Sequence, residues 1–135
     1  MKAKITPKKK SASLASLKRK ADKAFSEYVR KRDIDRNGNT SCVTCGLTDH
    51  WKNLHAGHFI SRVVLSTRFD PVNVQVQCFA CNVWRRGNPA EYAGYLQRTY
   101  GHGVIETLLT EKRKTVKYTK ADYLSMIDRF QAEVA

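Results

Sequence analysis

Early in the chain, apolar residues recur every three or four positions. Leu14, Leu17, Ala21, Ala24, Phe25, Tyr28 and Val29 fall into one stripe, the period of an amphipathic helix with one packed side. Ser11 and Ser13 are both suitable N-caps for it. Asp35-Arg-Asn-Gly-Asn breaks it, because Asn-Gly favours positive φ, so the helix is predicted to run to about Asp33. The pattern then shortens. Thr40–Thr48 encloses a Cys-x-x-Cys pair with Gly46 at a tight turn, and Leu54–Ile60 and Val72–Gln77 read as short strands separated by an irregular basic loop. A helix is predicted from near Cys78 to Gly87, and another from Pro89, which suits a first helical turn, to about Tyr100. After Gly101 to Gly103 a further helix is expected near Val104–Lys114. Thr119-Lys-Ala-Asp122 is a capping-box-like start for a last helix, with Tyr123, Leu124, Ile127 and Phe130 on one side. There is no internal repeat at a solenoid period. The expected fold class is α+β, mainly helical.

Composition limits the size of this fold and names its partner class. A chain of 135 residues has room for one compact domain with an added helical arm, and buries about two-thirds of its unfolded surface. No apolar run approaches the roughly 18 residues of a membrane span. The start, MKAKITPKKK, has no apolar stretch behind its basic residues, unlike a secretory signal, so an intracellular protein is expected. The net charge is +13, which suits a polyanionic partner, since each neutralised phosphate releases condensed counterions. The charge is uneven: residues 1–36 hold 13 Lys and Arg against 4 Asp and Glu, and residues 37–135 hold 12 against 8. Residues 1–10, with five lysines and a proline, read as a basic flexible tail. Residues 11–36 form the basic N-terminal helix, 37–100 the core with both cysteine pairs, and 101–135 a C-terminal helical extension.

All four cysteines lie in two Cys-x-x-Cys pairs, Cys42/Cys45 and Cys78/Cys81. In a reducing compartment this even pairing points to metal rather than disulfides. Zn²⁺ prefers four ligands in a tetrahedron, and two intervening residues let both sulfurs of a pair reach one ion from one turn. The 32 residues between the pairs (46–77) exceed the length of a compact ribbon, so another element is inserted there. A closed four-thiolate site leaves no open position for substrate, so its role is structural, and it supplies folding free energy on the order of 10 kcal/mol.

The insertion holds His55-Ala-Gly-His58-Phe and then Asn73-Val-Gln-Val-Gln-Cys78-Phe-Ala-Cys81-Asn82. This order resembles the HNH, or ββα-metal, nucleases, in which a hairpin presents a histidine and the following helix presents a metal ligand. More narrowly, LHAGHFISR, STRFDPVNVQVQC-x-x-CN and a later Gly-Asn, behind LKRKADKAFSEYVRKRD, resemble the NinG (Rap) recombination endonucleases of lambdoid phages, over roughly residues 14–115. The resemblance implies a zinc-stapled ββα-metal (HNH) core and metal-dependent hydrolysis of branched DNA such as Holliday junctions and D-loops. It implies a phage-encoded or prophage-derived protein in the cytoplasm of a bacterial host.

Carried over residue by residue, the resemblance makes His58 the general base that takes a proton from water near neutral pH. Asn82 would help hold a catalytic Mg²⁺ or Mn²⁺ through its amide oxygen. Asn73 would bridge backbone groups so that the His58 loop keeps its shape. Two positions depart from the pattern. Gly57 stands where many HNH sites have an acidic residue, and His55 stands where NinG-like sequences often have Asp. His55 is a second candidate ligand, softer than a carboxylate, and favours Mn²⁺ or another transition ion.

Arg62, Arg68, Arg85 and Arg86 lie in segments beside this centre and are candidates for gripping phosphates. Lys18, Arg19, Lys20, Arg30, Lys31 and Arg32 would extend that footprint along a second DNA arm, positioning DNA without reading bases. The aromatics Tyr28, Trp51, Phe59 and Trp84 read as core rather than base-stacking wedges, though an exposed one could sit at a branch point, and His50 and His102 read as exposed loop residues. Symmetric cutting of a junction calls for a homodimer. Two other readings stay open: an HNH nuclease acting on linear duplex, and a non-catalytic zinc-stabilised DNA-binding module.

Overall fold

A computed structural model describes residues 11–134; the expected tail, residues 1–10, lies outside them. The fold is α+β, with about half of the described residues in helices and two small antiparallel sheets. The first helix, α1, spans Leu14–Lys31, capped by Ser13, whose Oγ accepts from Ser16 N at 3.1 Å. Leu17, Ala21, Ala24, Phe25 and Val29 are its buried stripe. Leu14, at the end of the predicted stripe, is exposed.

Strands β1 (Asn39–Ser41) and β2 (Thr48–His50) pair across the first cysteine knuckle. No strand was expected there, because three residues are too few to show alternation. A 3₁₀ turn, Trp51–Asn53, leads into β3 (His55–His58). His50, expected to be exposed, is half-buried and caps that turn, its Nδ1 accepting from Lys52 N at 3.2 Å. The expected irregular loop after β3 contains a one-turn helix, α2 (Leu65–Arg68). Strand β4 (Val74–Gln77) then pairs antiparallel with β3, in the register His55↔Gln77 to His58↔Val74. Every residue of β4 is buried, two glutamines included.

The predicted helix from Cys78 to Gly87 is instead a π turn, Ala80–Trp84, in which Arg85 N donates to Ala80 O at 2.9 Å. Helix α3 spans Pro89–Tyr100, α4 Val104–Lys112 and α5 Lys120–Glu133. Thr119 caps α5 in a reciprocal capping box with Asp122. The rise of apolar residues along α5 is narrower than expected: Tyr123 and Phe130 are buried, but Leu124 is exposed.

Two apolar clusters hold these elements. The larger joins α1 and α5 to the β3–β4 hairpin and to Cys42, Cys78 and Cys81. Its aromatic centre is Phe130, with ring centroids 4.8 Å from Phe25 and 5.3 Å from Tyr28. The smaller cluster packs Tyr92 and Leu96 of α3 against Val104, Leu108 and Ile60. Truncating Phe130→Ala is expected to destabilise the fold by about 3–5 kcal/mol. Leu124→Ala, on the open side of the same helix, should stay within about 0.5 kcal/mol. Urea unfolding midpoints of the two variants check this.

Candidate functional site

Two turns bring the cysteines together. In the first, Gly46 N donates to Cys42 O and Cys42 N to Leu47 O, both at 2.9 Å, with Gly46 at φ +81°. In the second, Cys81 N donates to Cys78 Sγ at 3.4 Å. A backbone bond from Val43 N to Val76 O, 2.9 Å, clamps the first turn to β4 just before Cys78. The four sulfurs all lie within 4.8 Å of one another, with Cys45 and Cys78 at 3.6 Å. A zinc tetrathiolate has sulfur–sulfur edges of about 3.8 Å, set by Zn–S bonds of about 2.3 Å. This cluster is therefore a possible metal-binding site consistent with structural zinc. Arg85 and Asn88 direct N–H groups at Cys81 Sγ, at 3.6 and 3.7 Å, the outer hydrogen bonds that thiolate ligands take. Burial pushes the Cys42 thiol up, but hydrogen bonds from Thr44 and neighbouring backbone amides bring it down to about 6. In the same cluster, against the pull of the Leu47 backbone amide, burial and hydrogen bonds shared with the other three sulfurs push the Cys45 thiol up to about 12, so the four sulfurs share their protons unequally.

Beside the cysteines, α1, β3 and the π turn enclose an open cleft of about 470 Å³. His55, His58 and Asn82 line it, with Asp22, Ser26 and Arg30 on the α1 side and Lys52 and Arg62 at other edges. Asn82 sits one residue beyond Cys81, so the turn that carries the sulfur also carries the amide. Its Nδ2 is 3.1 Å from His55 Nδ1. The His58 Nε2 lies 2.9 Å from Arg68 O. A carbonyl can only accept, so Nε2 carries the hydrogen and Nδ1 is the ring's free acceptor. Burial lowers the His58 pKa below its usual 6.5, opposed by the Arg68 carbonyl and reinforced by the Arg62 and Arg68 charges.

Two groups hold the segment that follows His58. Fully buried Asn73 accepts from Ile60 N at 2.7 Å and donates to Ile60 O and Thr67 O at 3.1 and 3.0 Å. Arg68 donates to Asp22 through Nε at 2.8 Å and Nη2 at 2.6 Å, and to Arg62 O at 2.9 Å. Arg62 also reaches Asp22, at 3.1 Å. Asp22 was not among the expected site residues; its one sequence signal is that it is the only acid between Ser11 and Ser26, in an otherwise basic stretch. Tyr92 was also missed, and its hydroxyl donates to Gly57 O at 2.6 Å, fixing the hairpin from below.

The expected DNA-binding residues divide. Lys18, Arg19, Lys20, Arg85 and Arg86 are on the surface, Lys18 only partly. Arg30 and Arg62 line the cleft. Lys31 stands 4.4 Å over the Trp51 ring and 3.9 Å from Glu27. Arg32 and Arg68 are committed internally, which corrects their assignment to phosphates. Arg32 donates to Pro71 O, Val74 O and Gln75 Oε1, at 2.9, 3.0 and 2.6 Å, tying the start of β4. Trp84, expected in the core, is 76% exposed, whereas Tyr28, Trp51 and Phe59 are half-buried.

A family model described as Bacteriophage Lambda NinG protein matches residues 2–135. The chain belongs to the NinG family. It is 28% identical to Protein ninG of Salmonella phage P22 over 114 residues, which is 78% of this chain and 53% of the phage protein. It is 30% identical to Protein ninG of Escherichia phage 933W over 93 residues, 67% of this chain and 43% of that one. The chain thus spans about half the length of the NinG relatives it matches. No solved structure matches it.

The two departures, Gly57 from many HNH sequences and His55 from NinG-like ones, have physical counterparts. A Cβ at Gly57 would collide with Gln77 Oε1 and stand 2.7 Å from its Cδ. Gln77 is fully buried, donating to Thr44 Oγ1 at 3.2 Å and Gly87 O at 2.9 Å, so an acidic side chain has no room before His58. With His55 in place of an acid, the cleft's one carboxylate is Asp22, already paired with Arg68 and Arg62. Asn82 Nδ2 points at His55 Nδ1, so the imidazole and the amide oxygen could serve a divalent ion only once that amide turns, and such a set would fit a transition ion better than Mg²⁺.

In this NinG-family chain the cysteine cluster ties together both sheets. One zinc per chain is expected by metal analysis, with tetrahedral thiolate bands when Co²⁺ replaces it. Stripping the ion with a chelator should abolish cooperative thermal unfolding, since structural zinc binding is worth on the order of 10 kcal/mol.

Proposed function

We propose that the protein is a metal-dependent endodeoxyribonuclease of the HNH, or ββα-metal, type, cutting branched recombination intermediates such as Holliday junctions and D-loops. The observation that carries this reading is the meeting of His55, His58 and Asn82 on one cleft, with His58 Nε2 held by a carbonyl. The order β3, loop, β4, helical turn agrees with the family's hairpin-then-helix arrangement. Membership of a phage family supports the recombination setting and the cytoplasm of an infected host as its place of action. Among the described residues, no helix is long and apolar enough to cross a membrane.

In this mechanism His58 Nδ1 takes the proton of an attacking water, while the Nε2–carbonyl bond keeps the ring in the base-competent tautomer. Asn73 holds the backbone around Ile60 and Thr67, so the carbonyl that orients His58 stays in place. His55 and Asn82 would hold the divalent ion, Mn²⁺ fitting this set better than Mg²⁺. The ion would stabilise negative charge on the scissile phosphate and the leaving 3′ oxygen. Arg62, paired with Asp22, and Arg30, whose Nε and Nη1 donate to Ser26 and Trp51, would offer their remaining N–H groups to phosphates beside the cut. A homodimer would supply the second cut of a symmetric junction.

His58→Ala should lower cleavage of a four-way junction by at least about 10²-fold while junction binding is retained. Unchanged cleavage would leave only a DNA-binding module. Matched linear duplex should be cut more slowly than the junction in the same assay, and equal rates would remove the branch preference. A second expectation concerns pH. The base must be neutral, and burial holds His58 below 6.5. The acid limb of the rate profile should therefore lie below 6.5, and cutting should fall only as pH drops through that lowered value.

A further inference from the structure

Outside the cleft, the π turn carries an apolar patch that neither core cluster absorbs. Trp84 is 76% exposed, and Phe79 and Val83 are each 48% exposed. Phe79 and Trp84 meet edge-on, with centroids 5.5 Å apart and planes at 76°. Phe79 also meets the His55 ring edge-on, at 5.7 Å and 85°. His55, Phe79 and Trp84 therefore form a continuous aromatic path from the cleft wall to open solvent.

The platform is held rigidly. Its backbone runs between Cys78 and Gly87, where Asn82 N donates to Cys78 O and Gly87 N to Cys81 O, at 2.9 and 2.8 Å. Exposed Arg85 and Arg86 follow at once, Arg86 in the left-handed region at φ +51°. Large aromatic faces on a fixed turn bind with little loss of side-chain freedom. The flanking guanidiniums and the net charge of +13 specify an anionic occupant.

Resting on the reading of this chain as a DNA-cutting protein, we propose that Trp84 and Phe79 are a stacking platform for an unpaired nucleobase of branched DNA. Arg86, and the Arg85 N–H groups not directed at Cys81 Sγ, hold the adjoining phosphates. Every base has a π face, so stacking is tolerant of sequence. A continuous duplex keeps those faces covered, and a branch point exposes them. The aromatic path would then favour a strand that leaves the helix beside the phosphate bound near His55 and Asn82. The exposed tryptophan thus supplies selectivity for branches, while the cleft supplies the chemistry.

The chain has two tryptophans, so Trp51→Phe leaves Trp84 as the sole source of tryptophan emission. The full chain, carrying Trp51→Phe and His58→Ala to prevent cutting, is titrated with three DNAs: a blunt duplex, a fork with unpaired bases, and the same fork with abasic sites in place of those bases. Labelled-DNA anisotropy matches occupancy. Trp84 emission should be quenched by the fork alone, and adding Trp84→Ala should weaken fork binding about tenfold while duplex binding is kept. Equal quenching by all three DNAs would overturn the proposal, as would none at saturation. Emission that shifts with protein concentration before DNA is added would also overturn it, by showing a second copy on the patch. DNA binding without fork-specific quenching removes this inference and leaves the nuclease reading intact. Fork-specific quenching, with no cutting by the chain that retains His58, removes the nuclease reading and leaves a branch-binding platform.

Discussion

The two sheets of this protein share no strand, and each has only two. Hairpins of three or four residues are marginal on their own in water. They are joined where four sulfur atoms from segments 32 residues apart come within 4.8 Å, reinforced by the single backbone bond between Val43 and Val76. Small domains whose apolar core is limited commonly depend on such a staple. Here the staple also sets the relation of the first hairpin to everything that follows it.

The cleft inherits its geometry from this junction. Asn82 follows Cys81 directly, so whatever fixes the sulfur also fixes the amide against His55. A second layer then acts on His58 through backbone rather than side chain. Asn73 ties the residues around Ile60 to those around Thr67, Asp22 grips Arg68 from α1, and the Arg68 carbonyl faces the imidazole. Tyr92 of α3 adds a further tie to the hairpin, donating to Gly57 O. Helix α1 thus does more than carry charge: its buried stripe meets the core, and Asp22, Ser26 and Arg30 form one wall of the cleft.

Elements with local chemical signals were legible in the sequence. Helix α3 has proline at its start and glycine at its end, α5 carries its capping box, and α1 has an apolar repeat sustained from Leu17 to Val29. Strands β1 and β2 and helix α2 were not legible, since three or four residues do not complete a pattern. The π turn was read as an ordinary helix because the two differ in backbone hydrogen bonding, not in residue type. The sulfur cluster followed from spacing alone. The roles of His58 and Asn82 rested on family resemblance, because nothing local shows that β3 and the π turn share a cleft. Arg68 and Arg32 were misread for a similar reason: their partners Asp22 and Gln75 are 46 and 43 residues away. Trp84 was misread because aromatic character does not reveal which side of a turn faces solvent.

The pairing of Asp22 with Arg62 and Arg68 gives the cleft its own resident counterion. Solution ions condensed on DNA are displaced when a free lysine or arginine meets a phosphate, and that release makes binding fall with salt. An arginine already neutralised by a carboxylate swaps one fixed anion for another. On the proposed reading, a phosphate that takes the place of Asp22 on one of these two arginines would add less to ionic-strength sensitivity than one that meets Arg30 or Lys52 in the same cleft. The steep part would come from those two and the outer basic surface, so salt could loosen the grip on flanking DNA while leaving a contact at the Asp22-paired arginines comparatively indifferent.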